Sequence, residues 1–352
     1  MPVSPALAEN LAVEVVAIYA EAERLLLSRI ALHLGADMDA PDWVERKLLE
    51  VQFLARQTER LTEQLGEKAA AQAAVDLSKA YNRGGAAAAL ELAKAKGIPL
   101  IEAATPLYGL PPVEALVAET GGHLLATAPR ILRSTLDAYR SVISETAGQV
   151  LVGAQTRRQA AQAALNRYAS RGITGFVDKS GRGWNLESYA EMAMRTGLGR
   201  AAIQGHTEKL TEHGFDLVIV SDAPRECPLC APWEGKVLSI SGKAPDHPSV
   251  AQAHEAGLQH CNCRHSFSLY QEGVTRPHGE TADPKGYAAG QKQRYLERQI
   301  RASKRLEAAA MDDESRKAAQ ARIRAYQAKL RDHVAANDLK RLRYREQIGR
   351  AI

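Results

Sequence analysis

Apolar residues along the first third of the chain recur at three- and four-residue steps, the spacing that lines one face of an α-helix. Leu11, Val15, Ile18, Ala22, Leu25 and Leu26 predict an amphipathic helix from Ala6 to about Leu34, with Gly35 as its stop. After a turn over Asp37 to Pro41, Asp42 is a candidate N-cap, and Val44, Leu48, Val51, Phe53, Leu54, Leu61 and Leu65 predict a second helix ending at Gly66. Two such helices on a short link should pack antiparallel. Further helices are expected from about Glu67 to Lys79 and from Gly85 to Lys96, separated by Asn82-Arg83-Gly84-Gly85 and closed by Gly97-Ile98-Pro99. The three prolines between Thr105 and Pro112 read as a connector, after which helix resumes from Val113 through Ile131, Leu132, Leu136 and Val142.

The pattern changes near Tyr168. Gly172, Gly175, Gly181 and Gly183 interrupt the helical period, and Phe176-Val177-Asp178 reads as a short strand. Helix returns over Asn185 to Gly205. Leu217-Val218-Ile219-Val220, short and β-branched, predicts a buried strand, and Val237 to Ile240 a second one before a Ser241-Gly242 turn. From Gly286 onward helix dominates again, with Ile323, Tyr326, Leu330 and Val334 in helical register and Asp312, Asp313 and Glu314 placed to open the last helix. The expected architecture is α+β and predominantly α-helical. It has a helical N-terminal region (1–165), a compact α+β middle domain (166–275) and a basic helical tail (276–352).

Composition sharpens this outline. A chain of 352 residues is long enough for more than one core, and its low aromatic content of 5% beside abundant alanine favours helix. No apolar run approaches the ~18 residues of a membrane span. Met1-Pro2-Val3-Ser4-Pro5 opens no secretion signal, so the expected place of synthesis is a cytoplasm. The net charge of +5 is unevenly placed. From Arg276 to the end there are nineteen Lys and Arg against ten Asp and Glu. A basic tail of this kind suits an acidic protein surface or nucleic acid, although a solvated helix face gives the same count.

All four cysteines lie between 227 and 263. Cys227-Pro228-Leu229-Cys230 is followed by His260-Cys261-Asn262-Cys263-Arg264-His265, and two close pairs of soft donors joined by a loop are what a tetrahedral zinc site requires. The preferred ligands are Cys227, Cys230, His260 and Cys263. Cys261 and His265 are substitutes that spacing alone leaves open, and His247 and His254 are weaker ones. A disulfide, a redox pair or two buried thiols would give the same spacing; no thioredoxin-like strand and helix surround it. A closed four-ligand site would be structural, whereas hydrolysis would need an open position and a carboxylate base, for which Glu226, Glu234 and Glu255 are available.

Gly172-Ile173-Thr174-Gly175-Phe176-Val177-Asp178, Gly181-Arg182-Gly183-Trp184 and Tyr189-Ala190-Glu191-Met192-Ala193-Met194-Arg195-Thr196 precede the Cys227-to-Val237 block and Cys261-Asn262-Cys263-Arg264-His265 in an order that resembles the phage minor capsid protein 2 family. Ala40-Pro41-Asp42-Trp43-Val44-Glu45-Arg46-Lys47 and the stretch from Tyr287 through Arg305 are similar to it as well. One departure stands out: His260-Cys261 occupies the place where His-Pro is expected. The resemblance implies a minor head component of a tailed bacteriophage, associated with the portal and other capsid proteins. It implies a place in the virion, inside the capsid near the packaged DNA, and no established catalytic role. A more distant likeness of the middle domain to Mu F-type head morphogenesis proteins suggests an ADP-ribosyltransferase-like fold, an analogy of fold and not of function.

Two enzymatic readings compete. In an ADP-ribosyltransferase-like enzyme or toxin, Arg195 would hold a nucleotide phosphate, yet no Ser-Thr-Ser strand or paired-Glu motif accompanies it; a helical salt bridge explains Arg195 more simply. A zinc-dependent nuclease of the His-Asn-His type would draw on His247, His254 and His260, which lie where no strand is evident. Gly181-Arg182-Gly183 lacks the strand, third glycine and helix of a dinucleotide site.

Overall fold

The computed structural model describes residues 10–96, 111–173, 176–177, 183–223, 225–260, 263–276 and 283–348. The expectations resting on Met1 to Pro5, Gly97 to Pro99, most of the Thr105–Pro112 connector, Gly175, Asp178, Gly181 and Cys261 lie outside them. The elements in chain order are α1 (Ala12–Gly35), α2 (Trp43–Lys96), α3 (Pro111–Leu125), α4 (Ala128–Leu151), α5 (Arg157–Arg171), β1 (Phe176–Val177), β2 (Gly183–Trp184), α6 (Leu186–Glu212), β3 (Leu217–Val220), β4 (Val237–Ser239), α7 (Val250–Glu255), β5 (Phe267–Leu269), α8 (Pro284–Ala308) and α9 (Asp313–Ala336). This is the predominantly helical α+β class that the hydrophobic pattern predicts. Among the described residues no helix is long and apolar enough to cross a membrane.

The chain divides into two compact units, each drawn from three stretches of sequence. One comprises Met1–Glu14, Ala71–Gly121 and Glu191–Gly290; the other comprises Val15–Ala70, Gly122–Ala190 and Gln291–Ile352.

In the second of these, α1 and the first turns of α2 run antiparallel, as expected. His33 Nδ1 meets Glu50 Oε2 at 3.1 Å, and Arg29 donates to the Gln57 carbonyl at 3.5 Å, so positions fall on α1 as they rise on α2. The indole of Trp43 donates to the Leu34 carbonyl at 3.2 Å and locks the turn between the helices. The buried line of α2 here is Trp43, Lys47, Val51, Leu54, Thr58, Thr62 and Leu65. Leu48 and Phe53, expected on that face, are about half exposed, because the helix turns its polar threonines inward instead.

The same unit contains buried charge. Glu23 accepts from the Ile173 backbone N–H at 2.9 Å and lies 3.6 Å from Arg305. Arg301 pairs with Glu187 at 2.9 Å, and Arg305 also donates to the Ala169 carbonyl at 2.9 Å. Burial pushes the Glu23 carboxyl above the usual range, against the pull of Arg305 and the Ile173 N–H. Tail helix α8 is therefore held by buried ion pairs, and the expected opening of α9 is realised by Asp312, which caps it by accepting from the Ser315 N–H at 2.7 Å.

The other unit holds a three-stranded antiparallel sheet of order β4-β3-β5, registered through Val218↔Leu238 and Val218↔Leu269. Strands β3 and β4 match expectation; in the unit described before, Phe176–Val177, expected as a short strand, pairs antiparallel with Gly183–Trp184, where no strand is expected. Val218, Val220, Leu238 and Phe267 pack with Ala88 and Leu92 of α2 and Leu210 of α6.

The expected breaks at Gly66 and at Asn82-Arg83-Gly84-Gly85 do not occur, since α2 is continuous from Trp43 to Lys96. The glycines serve packing instead. A Cβ at Gly84 would stand 1.9 Å from the Ala202 carbonyl oxygen, and one at Gly205 would stand 2.1 Å from that of Tyr81. Helices α2 and α6 thus approach backbone to backbone, and only a residue without a side chain fits at either contact.

Candidate metal centre

The site forms where the chain leaves β3 and where it enters β5. Ser221 N–H donates to the Ser266 carbonyl at 2.8 Å, which sets the segment beginning at 221 beside the one ending at 266. Each segment then makes a tight turn. Cys230 N–H donates to the Cys227 carbonyl at 3.1 Å, and Cys263 N–H donates to the His260 carbonyl at 2.9 Å. The two donor pairs seen in the sequence are therefore two turns of the same hydrogen-bonded kind, each presenting a pair of soft ligands three residues apart.

The side chains converge accordingly. Cys227 Sγ lies 2.8 Å from His260 Nε2, Cys230 Sγ lies 3.5 Å from Cys263 Sγ, and Cys263 Sγ lies 3.4 Å from His265 Nδ1. They form two groups of potential metal donors, Cys227 with Cys230 and His260, and Cys230 with Cys263 and His265, each with its donor atoms within 4.8 Å of one another. Cys230 belongs to both and is fully buried against the sheet core. Cys227, Cys230 and Cys263 are free thiols, so no disulfide joins them. Their spacing and chemistry fit a metal that prefers sulfur and imidazole ligands.

Behind the turns stands a pair that the sequence does not reveal as one. His265 Nε2 is 2.6 Å from Glu234 Oε1, and both side chains are buried. Glu234 is held in turn by the Ala223 N–H at 3.1 Å. Hydrogen bonds from Cys230 and from His265 hold the Cys263 thiol below its ordinary value, against the effect of burial. The Cys230 thiol is pushed up, first by its hydrogen bond to Cys263 and then by burial. For His265, burial works against the charged form, but its contacts with Cys263 and Glu234 prevail and raise its affinity for a proton.

The remaining candidates lie apart from this chemistry. Glu226 accepts from the Asp283 N–H at 2.7 Å, and Glu255 is exposed at the end of α7. His247 stands edge-on to Tyr270, with ring centroids 6.3 Å apart, and His254 is on α7; neither is on a strand of the kind a His-Asn-His nuclease uses. Arg195 pairs with Glu191 at 3.4 Å, one helical turn away on α6. Among the described residues the cysteines and His260 and His265 make up every group of three or more side chains placed to hold a metal ion.

Three comparisons bear on identity. The profile of the family described as phage minor capsid protein 2 matches residues 3–335. A protein named "Structural protein" from Lactococcus phage LL-H is 30% identical over 219 residues, covering 58% of this chain and 59% of that relative. The match thus spans about three fifths of the curated relative's length. No solved structure matches the chain. With the helical α+β architecture, the cysteine turns and a family match over nearly its whole length in place, the chain belongs to the phage minor capsid protein 2 family.

Proposed function

We propose that this protein is a non-enzymatic minor component of a tailed-phage head, located inside the capsid beside the portal, where it contacts portal and capsid proteins. The observation that carries the reading is the family match from residue 3 to residue 335, which includes the helical ends as well as the cysteine-bearing middle. Buried ion pairs, close-packed glycines and a closed cluster of donors suit a rigid docking unit. A metal-dependent hydrolase would instead need an open coordination position beside a carboxylate base.

Within that role the metal is zinc, held by Cys227, Cys230, His260 and Cys263, and its task is structural. Bound there, zinc would tie the two turns together as a four-ligand site and so brace the β4-β3-β5 sheet. His265, backed by Glu234, would support the Cys263 thiolate from outside the ligand set, as outer partners of metal ligands commonly do. The packaged DNA is the further partner, reached through the basic tail.

Quantitative mass spectrometry of purified particles tests the placement. Recovery at a low copy number relative to the major capsid protein, with cross-links to the portal, is the expected result; absence from particles would overturn it. Elemental analysis of the purified protein tests the metal, with one zinc per chain expected and its loss expected in Cys227→Ser and Cys230→Ser.

A further inference from the structure

Helix α9 buries Ala319, Ile323 and Leu330 and half-buries Tyr326 and Val334, so its inward line is settled. With 3.6 residues per turn, Lys317, Arg324 and Arg331 fall seven residues apart along one flank of that line. Arg322 and Lys329, also seven apart, fall along the opposite flank. All five are exposed. Among the described residues no carboxylate lies within ion-pairing distance of any of them, whereas Arg316 on the same helix is paired with Asp313 at 2.8 Å. Lys329 rests over the Tyr326 ring at 5.3 Å, which fixes its stem without neutralising its charge. Glu314 near the helix start and Asp332 are the acidic residues on the outward face between the rows. The rest of that face from Ala318 to Ala336 is alanine.

We propose that this face of α9 is a sequence-independent contact for duplex DNA. Five unneutralised cations on the two flanks of one exposed helix call for a polyanion, and two parallel rows suit the two phosphate strands bordering a groove. The major groove, about 12 Å wide, admits a single helix, and successive members of a row stand about 10 Å apart along it. Apart from Glu314 and Asp332, the residues between the rows are alanines, which offer nothing that hydrogen-bonds to base edges, so the contact would rest on the flanking cations and position the chain on DNA rather than read its sequence. The occupant follows from the head-interior location proposed above. Binding by the purified chain is nevertheless measured independently of particle composition, so either reading can fail alone.

The test is fluorescence anisotropy of the full-length protein with two labelled duplexes of equal length and unrelated sequence, over a series of salt concentrations. Five phosphate contacts predict a log–log salt slope of about −4.5, or about 500-fold weaker binding at about 200 mM than at about 50 mM salt, alike for both duplexes. Lys317→Gln/Arg324→Gln/Arg331→Gln should make the slope shallower by about 2.7, and Arg322→Gln/Lys329→Gln by about 1.8. Circular dichroism of each variant should match that of the parent, since all five side chains are on the surface. No binding at low salt, binding to polyglutamate but not to duplex, or a slope unchanged in either variant would overturn the proposal.

Discussion

Gly84 and Gly205 show how much can rest on a missing side chain. A methyl group at either position would have to occupy space within about two ångströms of a carbonyl oxygen across the α2–α6 contact. Gly84→Ala and Gly205→Ala should each destabilise the protein by about 1–3 kcal/mol or more in urea unfolding, the overpacking strain exceeding the ~1 kcal/mol that alanine gains in helix propensity. Gly148 on α4 is the control, because its Cβ would meet nothing within 4 Å, and Gly148→Ala should stabilise by about 0.5–1 kcal/mol.

A second single-residue effect belongs to Asp312. The backbone N–H of Ser315 holds its carboxyl below the usual carboxylate range. The folded value is thus depressed relative to the unfolded one, so the cap's contribution is present above the ordinary carboxylate value and is lost as pH falls through the folded value. Asp312→Ala should cost about 1 kcal/mol at neutral pH. The difference from the parent should shrink in acid, measured by thermal unfolding at several pH values.

At the scale of elements, tail helix α8 is fixed by buried charge. Removing one member of a buried pair leaves the other without its counter-charge, so Arg305→Met should lower stability by about 3–5 kcal/mol. Glu23→Gln in the same chain should recover much of that loss, because the amide oxygen can still accept from the Ile173 N–H while the unpaired charge is gone. A double-mutant cycle by denaturant unfolding measures the coupling. The turns that bear the cysteines are the other element under test. With zinc bound as proposed, a chelator should lower the melting temperature and raise proteolytic sensitivity between 221 and 266. Added zinc should restore both, and His265→Gln should weaken zinc affinity by about 10- to 100-fold without changing its stoichiometry.

For the whole molecule, interleaved segments govern the response to damage. Each compact unit draws on three stretches of chain, and α2, α6 and α8 each contribute residues to both. A chain built this way should not yield a stable fragment on cleavage within α2. Insertion of a protease site after residue 70 and cleavage there should abolish the cooperative transition seen by circular dichroism, rather than release an intact half.

Much of this architecture was legible in the residues. The periods of α1 and α9, the cap at Asp312, strands β3 and β4 and the two donor pairs at 227/230 and 260/263 all depend on neighbours a few positions apart, where side-chain spacing and backbone preference act directly. The family order of Gly, Trp, Cys and His was legible for a different reason, as a linear succession. Tertiary structure alone decided that Gly66 and Gly84 lie inside an unbroken helix, that Leu48 and Phe53 face outward, that Glu234 backs His265 and that Glu23 meets Arg305. Local propensity weighs a glycine as a helix breaker, but Gly84 sits where α2 meets the α6 backbone at Ala202, more than a hundred residues away, a contact that no local pattern records. The partner of a buried charge is likewise set by which surfaces meet after folding, and no spacing along the chain records it.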